Sequence, residues 1–174
     1  MRPHLNLAAL YIQVSDNNAD KLKKAEDILA VIVRIAPQKM ETHDLLSQLY
    51  VRQQKWQQAK EELDILLHFN SRLYEVYFRL GIVNIYLENF NEAQKDFTQS
   101  LAEGRIYNFF DYINIARIYE VHGRINEAIE NYQQARQTPL GLTPEGIDFV
   151  NHRLYELYKT TGDVENMKIF ETKI

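Results

Sequence analysis

The chain has 174 residues, a formal net charge of −4, 45% hydrophobic residues, six glycines, four prolines and no cysteine. Mixed-sign charge with an acidic balance argues against nucleic acid as a partner, because phosphate recognition needs a concentrated basic surface. No apolar stretch reaches the ~18 residues of a membrane helix, and the lack of cysteine excludes disulfides and zinc–thiolate sites.

Taken in chain order, the sequence repeats itself. Leu80-Gly81, Ala93 and Phe97 return downstream as Ile115-Ala116, Ala128 and Tyr132, and occur upstream as Leu46-Ser47, Ala59 and Leu63. The small residue of each unit's first helix runs Ala8, Ser47, Gly81, Ala116, with Tyr155 in the fifth place, at spacings of 39, 34, 35 and 39 residues. A period near 34 is the signature of stacked helix pairs. The segments are 1–37, 38–72, 73–106, 107–142 and 143–174.

In the first segment Pro3 sits near the first helical position, and Ala8 is followed only at Ala25 by the second small residue. The polar run from Ser15 to Asp20 therefore reads as a lengthened turn. Pro37 closes the second helix. In the next three segments the two small residues are twelve apart, which allows one short loop between antiparallel helices. Small residues at those points let two backbones approach where the helices cross, with large neighbours filling the flanks. Gly81 against Ala93 is the clearest instance. Tyr11, Tyr50, Tyr119 and Tyr158 follow the small residue by one turn and are assigned to the wall between repeats, a series that Asn84 breaks. The fifth segment opens on Thr143-Pro144-Glu145, read as helix cap, first helical residue and first-turn acid.

The turns carry a second pattern: Gln54-Lys55-Trp56-Gln57-Gln58-Ala59, Glu88-Asn89-Phe90-Asn91-Glu92-Ala93, Gly123-Arg124-Ile125-Asn126-Glu127-Ala128 and Gly162-Asp163-Val164-Glu165-Asn166-Met167. Each is similar to the glycine, polar, apolar, polar, polar, alanine run of the tetratricopeptide repeat family. The middle three segments match best. The first is stretched, and the fifth departs at Tyr155, Met167 and Glu171. The resemblance implies an all-α fold, a right-handed superhelical solenoid of antiparallel helix pairs forming a single array over 1–174. It also implies a noncatalytic protein–protein interaction scaffold that binds a peptide or helix of a partner on its concave face.

If first helices line that face, its apolar centre comprises Phe78, Ile82, Ile85, Phe110, Ile113 and Phe149, with Arg117 and Arg153 beside them as candidate partner contacts. The opposing expectation is that these side chains pack between adjacent first helices. Glu41, Asp44 and Glu75 make one rim acidic, while Arg79, Arg117, Arg153 and Lys159 make the other basic. Family members that bind chaperones hold a terminal carboxylate with lysine, asparagine and arginine side chains; here those places are Asp44, Gln48 and Arg79, and Asp44 has the wrong sign.

Catalytic chemistry is not visible. His4, His43, His68, His122 and His152 fall in separate segments without metal-ligand spacing, and there is no glycine-rich phosphate loop or nucleophile elbow. Neither a metal nor a cofactor is expected, and the chain is not expected to be an enzyme. Glu26-Asp27 and Glu61-Glu62 read as solvated helix faces, and His152 near Glu156 as a helix-surface pair. The terminal run of Ile169, Phe170 and Ile174 lacks the polar face of a capping repeat. This supports an alternative in which the chain is a self-assembling or in-chain scaffold arm of a larger protein, bacterial and envelope-associated by family analogy, with self-association through its terminal helices.

Overall fold

A computed structural model describes residues 2–15 and 18–171, and all regular structure among them is α-helical. The chain divides into two compact units, Met1–Arg105 and Ile106–Ile174. The first holds α1 (Arg2–Gln13), α2 (Ala19–Ile35), α3 (Met40–Arg52), α4 (Trp56–Phe69), α5 (Tyr74–Tyr86) and α6 (Phe90–Ala102). The second holds α7 (Phe109–Val121), α8 (Ile125–Gln137), α9 (Pro144–Thr161) and α10 (Val164–Glu171). Five helix pairs result, with each second helix packed on its own first helix. No described helix is long and apolar enough to cross a membrane.

In the first unit, Leu22, Ala25, Leu29 and Ile32 recur at three- and four-residue spacing, so α2 buries one stripe. The stripe joins Leu5, Ala8 and Ile12 of α1 and Leu46 and Leu49 of α3 in one cluster. The long first turn starts after Gln13. Ser15 is buried and donates to the Ile12 carbonyl at 2.9 Å, while Asn18 caps α2 by accepting from the Lys21 amide at 3.2 Å. Ala19 and Asp20 are already helical, and Asp16 and Asn17 lie outside the described residues.

The pair α5–α6 shows why a small residue sits at the crossing. A Cβ on Gly81 would lie 2.5, 2.7 and 2.8 Å from three ring atoms of Phe97. Asn84, the break in the tyrosine series, is buried and ties the same two helices together. Its Nδ2 donates to Asp96 at 2.7 Å, and its Oδ1 accepts from Asn89 at 3.4 Å. Burial pushes the Asp96 carboxyl above its ordinary range, with the Asn84 bond opposing.

Two polar contacts correct the solvated reading of the glutamates. His43 is buried, with Nδ1 2.6 Å from Glu62 Oε2 and Nε2 2.7 Å from the Pro37 carbonyl. The two ring nitrogens thus face a carboxylate on one side and a backbone carbonyl on the other. Glu26 reaches across to the next pair, accepting from Gln53 and Lys55 at 3.3 Å each. Asp27 does remain on the surface, paired with Lys23 at 3.0 Å.

In the second unit, Asn108 and Asp111 form a reciprocal capping box at the start of α7. The Phe109 amide donates to the Leu140 carbonyl at 2.8 Å, tying the α8–α9 connection down. Thr143 Oγ1 accepts from the Gly146 amide at 3.1 Å, with Pro144 at the first helical position. The five surplus residues of this segment are absorbed by that connection and by α9, which runs for 18 residues. Tyr119 and Tyr158 are buried as wall residues, and burial pushes the Tyr119 phenol up to about 12. Phe170 of α10 stacks on Tyr158 at 5.8 Å, under the Arg136 guanidinium at 4.9 Å.

The glycine position of the turn motif has one conformation throughout: φ is 57° at Gln54, 60° at Glu88, 70° at Gly123 and 76° at Gly162. The left-handed region is easy for glycine and costly for other residues, so two of the four turns form against local preference.

Candidate functional site

In the first unit the first-helix side carries a groove of about 520 Å³ between α1 and α3, lined by Arg2, Leu5, Asn6, Ala9, Lys39, Glu41, Asp44 and Leu45. Its rim is mostly self-paired. Lys39 meets Glu41 at 3.2 Å. Asp44 accepts from Arg79 of α5 at 2.5 Å and from Gln48 at 2.9 Å, and Arg79 also reaches Ser47 Oγ. Bonds from its own backbone amide and from Lys39 hold Glu41 below the usual carboxylate range.

The apolar stripe is shorter here than the sequence suggests. The Arg105 guanidinium lies 3.8 Å from the Phe78 ring centroid and pairs with Glu75, while Phe97 flanks the same ring at 5.9 Å. Phe78 is thereby buried, Ile85 is fully buried and Ile82 is half-buried. The reason is that α5 buries residues around most of its circumference, Val76, Phe78, Leu80, Gly81, Val83, Asn84 and Ile85 among them.

In the second unit Ile113 is also buried, but two aromatics stand out from the surface. Phe110 is 55% exposed and Phe149 41% exposed. Each has a ring edge-on to a buried neighbour: Phe110 to Phe109 at 5.3 Å and Phe149 to Tyr132 at 6.4 Å. Such seats orient a ring without covering it. Arg117 is exposed on α7. Arg153 is half-buried and bonded to Glu120 Oε1, while the Tyr132 hydroxyl donates to Glu120 Oε2 at 3.1 Å. Burial pushes the Tyr132 phenol up to about 12, with Arg117 pulling the other way. Lys159 lies 5.7 Å from the Tyr155 ring centroid.

The expected basic rim is therefore half spent on internal pairs, since Arg79 and Arg153 each bind an acid on a neighbouring first helix. These partners stand about one repeat apart in sequence, Asp44 with Arg79 and Glu120 with Arg153, a signal available from spacing alone. A second groove, of about 400 Å³ on the outward side of α1 and α2, is lined by His4, Asp27, Ile28, Val31, Ile32 and Ile35. It was not foreseen from the sequence. Among the described residues no three histidine, aspartate or glutamate side chains gather as a metal site would require, and His152 is exposed on α9.

Paired helices crossing at small residues, with shallow surface grooves and exposed aromatics, define a helical-repeat interaction scaffold. The SHNi-TPR family model matches residues 75–102, the α5–α6 pair. Among solved structures, a MamA crystal structure superposes with a TM-score of 0.68 at 18% identity over 88% of this chain and 86% of that one. MamA of AMB-1 gives 0.61 at 27% identity over 82% and 74%. TTC0263, a thermophilic TPR protein of Thermus thermophilus, gives 0.60 at 18% identity over 98% and 89%. No curated protein sequence matches the chain. The fold is that of tetratricopeptide-repeat proteins, with five helix pairs among the described residues.

Proposed function

We propose that this protein is a noncatalytic adaptor that holds a peptide or helix of a protein partner on exposed first-helix positions. The observation that carries the reading is the pair of outward rings, Phe110 on α7 and Phe149 on α9, each seated edge-on against a buried aromatic of the second unit. Rigid aromatics seated on a packed core supply contact area at little entropic cost, which is how binding hot spots are built. Arg117, exposed on the same helix as Phe110, and Arg153, held by Glu120, add charge that orients an acidic or amphipathic segment. In the first unit Ile82 and the α1–α3 groove are the corresponding places. The test is a Phe110→Glu/Phe149→Glu variant beside Arg117→Glu, each first checked for an unchanged helical spectrum. Partner affinity should fall at least tenfold in the double variant and less in the single one. Unchanged affinity in both would remove the first-helix face from the account.

A second reading, the self-assembling scaffold arm, is favoured by a different observation. Leu7, Leu10 and Val14, at three- and four-residue spacing along and just after α1, are exposed, as are Val31 and Ile35, four residues apart on α2, so each helix turns an apolar stripe to the surface.

A further inference from the structure

The connection between α8 and α9 is fastened to the start of α7. The Phe109 amide donates to the Leu140 carbonyl at 2.8 Å. Gly141, at φ 83°, takes the left-handed conformation that glycine accepts readily. A Cβ there would lie 3.5 Å from the Phe110 ring and 3.7 Å from Phe109 Cβ, so the chain at 140–141 runs along the two phenylalanines. α9 is drawn in at the same point. Gly146 has no side chain to hold it off, and a Cβ there would lie 2.6 Å from the buried Phe109 ring. Phe109 is thus the common seat of α7, the connection and the first turn of α9, and Phe149 follows Gly146 by one turn. Leu140 is 55% exposed, as Phe110 is. A single exposed leucine needs no explanation, but this one stands beside an exposed ring on backbone held from both sides, the preorganised arrangement that favours binding.

The charge around this surface has one sign. Residues 106–116 and 138–149, which build it, contain Asp111, Glu145 and Asp148 and no lysine, arginine or histidine. Asp111 is engaged in the capping box with Asn108, and Thr143 caps α9, so neither helix start is an open anion site. Glu145 and Asp148 are exposed, with no ion pair among the described residues. Glu145 precedes Phe149 by four residues and shares its face of α9. The one cation of α7, Arg117, lies about 10 Å beyond Phe110 at the helical rise. A segment laid on Leu140, Phe110 and Phe149 therefore meets carboxylates beside its apolar anchors and a guanidinium only further along.

We propose that Leu140 is a third partner contact, and that the segment held by Leu140, Phe110 and Phe149 carries lysine or arginine beside its large apolar side chains, set against Glu145 and Asp148. The proposal rests on the adaptor reading above and specifies the partner's chemistry. Arg117 takes the acidic end of that segment, so the two signs of charge fix its direction.

The test uses peptides selected from a displayed random library on the wild-type chain. Their affinities are measured by fluorescence anisotropy for wild type, Phe110→Glu/Phe149→Glu, Leu140→Ser and Glu145→Gln/Asp148→Asn, with Leu140→Ala as a second loop variant. Both loop changes keep the backbone bond to Phe109, and thermal melts should leave them as stable as wild type. Peptides that depend on the two rings should be enriched in lysine and arginine and should lose about fivefold or more on Leu140→Ser. They should bind the amide variant more weakly and with a shallower salt dependence. Ring-dependent peptides that bind both loop variants as tightly as wild type would overturn the third contact. Ring-dependent peptides that are acidic, or that bind the amide variant unchanged, would overturn the charge assignment. Either result leaves the adaptor reading in place, whereas selected peptides that all ignore the rings would overturn that reading and this proposal together.

Discussion

Gly81→Ala is the sharpest probe of the packing between paired helices, because two terms of opposite sign are both known in size. Alanine in a helix interior is favoured over glycine by about 1 kcal/mol. Against this, the new methyl would sit 2.5 to 2.8 Å from three ring atoms of Phe97, roughly 1 Å inside a normal carbon contact. The ring is stiff, and Phe97 is only 9% exposed. Phe78 flanks it at 5.9 Å and is itself pinned beneath Arg105. Overpacking of such a site costs about 1–3 kcal/mol, so the net effect should be a destabilisation near 1 kcal/mol, or about 2–4 °C in Tm for a chain of this size. Urea unfolding followed by circular dichroism reads it, in a cycle with Phe97→Leu. In the leucine background the clash is relieved, and the same substitution should turn neutral or stabilising, with a coupling of at least about 1 kcal/mol. Equal stabilisation by Gly81→Ala in both backgrounds would refute the close-approach argument.

Glu88→Gly should stabilise by roughly 0.5–1 kcal/mol, because relief of a left-handed residue outweighs the added chain entropy; the mirror change Gly123→Gln should destabilise by a similar amount in thermal melts. Glu62→Ala strands the buried His43 Nδ1 and should cost about 1–3 kcal/mol, an effect that should nearly vanish in a His43→Leu background. Tyr119 and Tyr132 hold their protons to about 12 in the folded state against an ordinary 10.0. Their contribution is complete below pH 10 and is lost as pH rises from 10 through 12, up to about 2–3 kcal/mol each. Tyr132→Phe should flatten that alkaline loss in urea titrations, and an unchanged slope would contradict it.

Much of the fold was legible because its signals are local and repeated. Ser47 with Ala59, Gly81 with Ala93 and Ala116 with Ala128 mark helix crossings by size alone, and Thr143-Pro144-Glu145 marks a helix start by cap chemistry. The candidate surface was less legible, because exposure is decided by side chains distant in sequence. Phe78 and Phe110 belong to the same apolar stripe in the pattern, yet Arg105 reaches back across the α5–α6 pair to cover one while the other stands more than half exposed. Ile85 and Ile113 likewise sit on helices whose buried residues span more than one stripe. Glu62 read as a surface acid because its partner, His43, lies nineteen residues earlier on another helix. Asn84 looked like a fault in the tyrosine wall and is instead a polar tie between α5 and α6.

The central claim is recognition of a protein segment by exposed first-helix side chains, and a displayed random-peptide library tests it most directly. Peptides selected on the wild-type chain are measured in solution against wild type, Phe110→Glu/Phe149→Glu and a Leu101→Glu control on α6. The account predicts peptides that keep their affinity for the control and lose at least tenfold on the double variant. Selected peptides that bind all three equally would contradict it.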